Sequence, residues 1–264
     1  EQKTFLEQRL LTLTQLAAPP QQQALMRFDL GDLWRTRFDR PAKALLEYRR
    51  ALELDPGLLV AMYESRQLYL AQNDLRAAAE LYELEAGAES DPARKIALYC
   101  ELSAIYRERI QDIDGAISAL QRACALSPGD SDLSYELASL LLERAERADE
   151  RTRRADYAAA ADLLVQVARA VPFAQALGFL ESALGCVPTH AAALAEIERL
   201  LKGTPEAGRL AGHWVAYLAV APVDEASNRR RVLLAQAYAE QGQIEDAIFC
   251  LEPAVDAGDA AAKK

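Results

Sequence analysis

The chain has 264 residues, 51% of them hydrophobic, with a formal net charge of -10 and a pI near 4.9. Nucleic-acid binding needs a basic surface that releases counterions from phosphates, so this balance argues against nucleic acid and against anionic membranes. It favours a protein or peptide partner with basic segments. No run of about 20 apolar residues occurs, which leaves no candidate transmembrane helix.

The opening EQKTFLEQRL has no initiator Met and no signal-peptide pattern, and predicts a segment of something longer or a processed chain. Residues 1–23 contain TFLEQRLLTLTQLA, from Thr4, which aligns with the stretch from Arg76 onward. They are expected to form the second helix of a hairpin whose first helix lies upstream.

From Arg35 to Pro56 the chain reads RTRFDRPAKALLEYRRALELDP, and from Arg107 to Pro128 it reads RERIQDIDGAISALQRACALSP. Arg35, Arg37, Ala44, Arg50, Ala51, Leu54 and Pro56 each meet an identical residue at an offset of 72. A fixed self-similarity of this kind marks a repeat architecture. Within 24–58 the pattern is a helix with Leu30, Gly31 and Trp34, a turn at Phe38–Pro41, and a helix with Ala44, Tyr48 and Ala51. Small residues let paired helices approach, aromatic residues fill the groove between them, and Pro56 ends the unit.

These residues resemble the tetratricopeptide repeat (TPR) family, with its units of about 34 residues. The resemblance implies an all-α, right-handed superhelical solenoid of antiparallel helix hairpins. Half of the 72-residue period is slightly longer than the family unit, which marks an irregular array. The second unit spans 59–95 with Tyr69, Ala78 and Tyr82, and the third spans 96–130 with Leu102, Tyr106, Ala116 and Leu120. Ser103 stands where the family has glycine.

The fourth unit, 131–171, repeats Tyr63, Glu64, Leu68 and Leu70 as Tyr135, Glu136, Leu140 and Leu142. Its stretch ERAERADERTRR, 143–154, extends the region between the helices by about ten residues. Alternating charge there predicts a solvated helix extension with local ion pairs. Residues 172–225 read as degenerate helical repeats, with helices around Ala174–Gly185, His190–Leu201 and Glu206–Val220. The clearest family spacing is at 226–258, on Leu234, Ala235, Tyr238, Gly242, Ala247 and Leu251. Residues 259–264 are a tail.

No phosphate-cradling loop, nucleophile elbow or paired-carboxylate constellation appears, so the chain reads as no enzyme and needs no cofactor. Cys186 and His190 stand four apart, yet no second close ligand pair supports a metal. Cys100, Cys124, Cys186 and Cys250 are far apart in apolar helical settings. They predict reduced structural thiols and, by default, a cytoplasmic address, with a periplasmic one left open. Asn228–Arg231 is the one compact basic patch; arginines opening a helix oppose its dipole unless an acid meets them. Only six of the 30 basic residues are lysines, and the Ala- and Arg-rich composition suggests a GC-rich bacterial genome.

In the TPR family the first helix of each unit lines a concave groove that holds partner segments. The resemblance therefore implies groove positions at Phe28, Asp29 and Asp32; at Tyr63, Glu64 and Gln67; at Cys100, Glu101 and Ala104; and at Tyr135, Glu136 and Ser139. An acid beside an aromatic or small residue recurs in each set, which predicts an acidic groove with aromatic ledges for a basic partner. A subgroup of the family grips a C-terminal carboxylate with Lys, Asn and Arg. None of those types stands at these positions, so that clamp is not expected. The leading expectation is a non-catalytic scaffold or adaptor. The alternatives are a regulatory arm of a larger protein or enzyme, and a self-assembling solenoid; the oligomeric state stays open.

Overall fold

The computed structural model describes Gln8 and residues 19–256. The expected leftover helix at 1–23 lies mostly outside the described residues, and so does the tail at 259–264. Among the described residues the fold is all α, with thirteen α-helices and one π-helical turn. The chain divides into two compact units, Glu1–Pro128 and Gly129–Lys264.

The first unit holds three hairpins: α1 (Pro20–Thr36) with α2 (Pro41–Leu54), α3 (Leu59–Ala71) with α4 (Leu75–Ala88), and α5 (Pro92–Ala104) with α6 (Ile113–Leu126). Helix α5 runs on into a π-helical turn, Ile105–Ile110. Proline at the first helical position starts α1, α2 and α5, where its missing N–H costs nothing. Asp74 and Asp112 cap α4 and α6 by accepting from the amides of Ala77 and Gly115.

Each of these hairpins turns on one left-handed residue: Asp39, Asn73 and Gln111, with φ of 51°, 58° and 62°. The amide that follows it donates back into the end of the first helix, from Arg40 to Trp34, from Asp74 to Tyr69 and from Asp112 to Tyr106. Such a turn satisfies orphan carbonyls and sends the chain back antiparallel. The left-handed residues are 34 and then 38 residues apart, which resolves the 72-residue period into a short and a long unit. The π-helical turn sits in the long one and adds to its length.

Close approach then sets the packing. A Cβ on Gly31 would lie 2.5 Å from the Tyr48 ring and 3.2 Å from the Ala44 carbonyl oxygen. Leu30, Trp34, Ala44 and Tyr48 form the core of this hairpin, and Lys43 places its ammonium 3.9 Å from the Trp34 ring centroid. Ser103, at the register of Gly31, donates its hydroxyl to the Ala116 carbonyl at 3.0 Å. The small-for-small exchange therefore adds a hydrogen bond between helices.

The second unit opens with α7 (Ser131–Arg147) and α8 (Glu150–Ala170), which together make the longest hairpin among the described residues. Residues 143–154 do not form a long loop: only Ala148 and Asp149 separate the helices, and the insertion lengthens both. Its ion pair is also not fully solvated. Arg144 grips Asp156 through two bonds of 2.9 and 2.6 Å, and Asp156 is 3% exposed. Arg153 donates to the carbonyls of Ala145 and Ala148 and so closes the C-terminus of α7.

Between 171 and 222 lie α9 (Phe173–Cys186), α10 (Ala191–Leu201) and α11 (Arg209–Leu218). Helix α9 packs against both α8 and α10, and α11 packs against α12 (Glu225–Glu240). The final hairpin pairs α12 with α13 (Ile244–Asp256), turning on Gly242 at φ 77°. Leu194, Trp214, Tyr217 and Leu234 form the core shared by α10, α11 and α12.

The Gly31→Ala variant should be less stable in urea by about 1 kcal/mol or more, because overpacking against Tyr48 outweighs alanine's better helix propensity. Unchanged stability would mean that the Tyr48 ring moves away at no cost.

Candidate functional site

The first helices of the three hairpins in the first unit are α1, α3 and α5. Phe28 of α1, Leu59, Val60, Tyr63 and Glu64 of α3, and Arg94 of α5 line a surface depression of about 200 Å³. Phe28 stacks on the Tyr48 ring with centroids 5.4 Å apart, which fixes one wall. Val60 and Tyr63 are solvent-exposed and apolar, as a wall that meets a ligand side chain must be.

Two charge clusters flank this depression. In the first, Arg35 reaches Asp32 at 2.7 Å on its own helix and Glu64 at 3.4 Å on α3. In the second, Arg66 donates Nε to Glu85 at 2.8 Å and Nη1 to Glu101 at 3.5 Å. Its guanidinium lies 4.0 Å from the Tyr82 ring centroid and 5.1 Å from that of Tyr63. The Tyr82 hydroxyl donates to the same Glu101 oxygen at 2.8 Å. Each arginine is thus shared by two carboxylates, and each cluster keeps one excess negative charge.

The second cluster is anchored in the interior. Arg66 is 4% exposed and Glu85 is 1% exposed, and Glu85 Oε1 has no hydrogen-bond partner. The Glu101 side chain, in contrast, is 57% exposed. Burial, and then the bond to Glu101, push the Tyr82 hydroxyl up to a pKa of about 12. A half-buried pair joins Arg27 to the buried Glu47 at 2.9 Å across α1 and α2.

Of the groove positions expected in the first unit, Phe28, Tyr63 and Glu64 meet in the depression. Asp32 reaches it through Arg35, and Glu101 shares Arg66 with the buried Glu85. Asp29 and Gln67 are exposed on α1 and α3, while Cys100 and Ala104 are half-buried on α5. In the second unit, Tyr135 meets Phe179 of α9 edge-on at 5.5 Å, Ser139 donates back to the Tyr135 carbonyl, and Glu136 is exposed.

Sequence reasoning missed Arg35 and Arg66. The signal was present: an arginine inside an apolar helix with a glutamate about 20 residues later, as in Arg27 with Glu47 and Arg66 with Glu85.

The second unit has its own charged cluster. Glu198 of α10 accepts from Trp214 Nε1 at 2.9 Å and from Arg230 Nε at 2.8 Å, so the acid that meets the basic patch is in the chain itself. A depression of about 490 Å³ lies beside it, lined by Glu198, Glu225, Ala226, Arg229, Arg230 and Leu233. Asp224 and Ser227 form a reciprocal cap at the start of α12, which offsets the unfavourable arginines there.

No group of three or more His, Cys, Asp or Glu that could hold a metal occurs among the described residues. His190 caps α10 by accepting from the Ala193 amide and places its other nitrogen 3.1 Å from Asp162. Burial pushes the Cys186 and Cys250 thiols up, away from the reactive thiolate. No described helix is long and apolar enough to cross a membrane.

Glu85→Ala should cost about 3 kcal/mol by leaving the buried Arg66 with only the exposed Glu101, and Arg66→Met with Glu85→Leu should recover most of it in urea denaturation. Tyr82 should form its phenolate near pH 12 rather than near 10, seen as an absorbance step that Tyr82→Phe removes. Its raised pKa means the folded state holds the proton more tightly. That stability is complete below about pH 10 and is lost as pH rises toward 12.

Residues 229–257 match the family model of the tetratricopeptide repeat. Among solved structures the chain is similar to YrrB, a TPR protein with an unusual peptide-binding site, at 21% identity over 66% of this chain and 92% of that one, with a TM-score of 0.33. It is similar to MamA at 17% identity over 91% and 94%, with a TM-score of 0.35. A TPR repeats protein from Bacteroides fragilis is similar at 14% identity over 85% and 95%, with a TM-score of 0.44. At such scores these likenesses carry no argument about the site. A comparison with curated proteins finds no match. The family match falls on α12 and α13, whose left-handed turn at Gly242 is the turn of α1–α2, α3–α4 and α5–α6. The family match thus covers one helix hairpin, α12–α13, of a chain whose described secondary structure is all helical.

Proposed function

We propose that the chain is a non-catalytic scaffold that binds a protein or peptide along the face formed by α1, α3 and α5. The carrying observation is the apolar depression of Phe28, Leu59, Val60 and Tyr63 beside two carboxylate-rich clusters. An apolar side chain of the partner enters the depression. A lysine or arginine of the partner meets Glu64 or the exposed Glu101, each of which shares its arginine with a second acid.

Extended peptides suit a face of this kind because three successive helices offer contacts along one line. The tetratricopeptide fold is typically non-catalytic, which agrees with this reading. Tyr135 and Glu136 present the same residue types in the second unit and are candidates for further partner contacts there.

Selection from a random peptide library displayed on phage tests the reading. Wild-type protein should enrich sequences with an apolar residue flanked by Lys or Arg. The variant Glu64→Lys with Glu101→Lys, shown folded by circular dichroism, should bind the selected peptides at least about tenfold more weakly. Enrichment of acidic peptides, or equal binding by the variant, would overturn it.

A further inference from the structure

The two surface acids of the α1–α3–α5 face use their oxygens differently. Glu101 of α5 takes both of its bonds on Oε2, from the Tyr82 hydroxyl at 2.8 Å and from Arg66 Nη1 at 3.5 Å. Its Oε1 receives no donor among the described residues, and the side chain is 57% exposed. Glu64 of α3 has one partner among the described residues, Arg35, whose Nη2 lies 3.4 Å from Oε2. Each carboxylate oxygen offers two lone-pair positions. Oε2 of Glu101 is therefore filled, whereas both oxygens of Glu64 keep a free position.

The difference matters to a basic ligand. Arginine binds a carboxylate best as a fork, with two parallel N–H donors on its two oxygens. Glu64 can receive that fork. Glu101 cannot, because donors from the interior already hold one of its oxygens. They hold it firmly: Tyr82 is 3% exposed, Arg66 is 4% exposed, and Arg66 is fixed in turn by Glu85 at 2.8 Å. A lysine ammonium is a compact point charge that can bind through a single acceptor, and Oε1 of Glu101 supplies one.

Resting on the reading of this face as a docking surface, we infer that its two acids select different basic residues. Glu101 selects lysine over arginine, while Glu64 accepts either. Tyr82 is the positioning residue behind this selectivity, since its hydroxyl occupies the oxygen that an arginine fork would need. The partner is thus an extended segment with an apolar residue in the depression, a lysine on the side of α5 and either base on the side of α1.

The test follows four extended peptides by fluorescence anisotropy on the full 264-residue chain. Each carries one leucine with a basic residue on both sides: two lysines, two arginines, or one of each in either order. The two-lysine peptide and one mixed peptide should bind alike. The other mixed peptide and the two-arginine peptide should bind at least about fivefold more weakly. Tyr82→Phe, shown folded by circular dichroism, takes the hydroxyl off Oε2 and should bring all four within about twofold by tightening the arginine peptides.

Equal binding of all four by the wild-type chain, or tightest binding of the two-arginine peptide, would overturn the inference and leave the docking face standing. Unchanged selectivity in Tyr82→Phe would do the same, as would a proportionate weakening of all four, the mark of a merely structural tyrosine. Binding of none below about 100 μM would sink the docking-face reading itself, and this inference with it.

Discussion

A helix hairpin of this size cannot bury its apolar surface alone, and every feature of the first unit answers that constraint. One left-handed residue per turn, at Asp39, Asn73 and Gln111, folds the second helix back onto the first. Small residues then bring the two axes together, with Gly31 against Tyr48 as the tightest case. The remaining apolar side of α2 and of α4 is covered by the first helix of the next hairpin, as Ala79 and Ala86 are by α5. Stability therefore resides in neighbouring interfaces, and the succession of first helices is left available for other work.

The buried charges belong to the same arrangement. A lone guanidinium at the depth of Arg66 would cost several kcal/mol, so its position demands a buried acid, and Glu85 supplies it from the partner helix. Arg66 then has one edge left, which it offers to Glu101 at the surface. The interior pair thus positions a surface carboxylate. Arg35 does the same between Asp32 and Glu64 without deep burial. Structure and candidate function meet in these two arginines.

Much of this was legible before any coordinates. The 72-residue offset located the hairpins because identical packing demands write identical residues. Gly31 and Ala44 announced close approach. Other features were not legible, for definite reasons. The left-handed turn residues are Asp, Asn, Gln and Gly, so no single residue type flags the turn. The alternation of 34 and 38 residues is hidden by a period that records only its total. Alternating charge at 143–154 pointed to a helix extension, but not to the near-complete burial of Asp156 against Arg144, because that acid's partner lies on another helix. The shared arginines escaped notice because their partners lie on other helices, and one-helix patterns do not show them.

The most direct measurement is a titration of the isotope-labelled chain with an extended peptide carrying one leucine between two lysines, followed by amide NMR. The account predicts shifts concentrated in α1, α3 and α5, around Phe28–Asp32, Tyr63–Gln67 and Arg94–Glu101, with the Tyr82 hydroxyl network perturbed through Glu101. Shifts confined to the second unit, or scattered without relation to the Arg35 and Arg66 clusters, would contradict it.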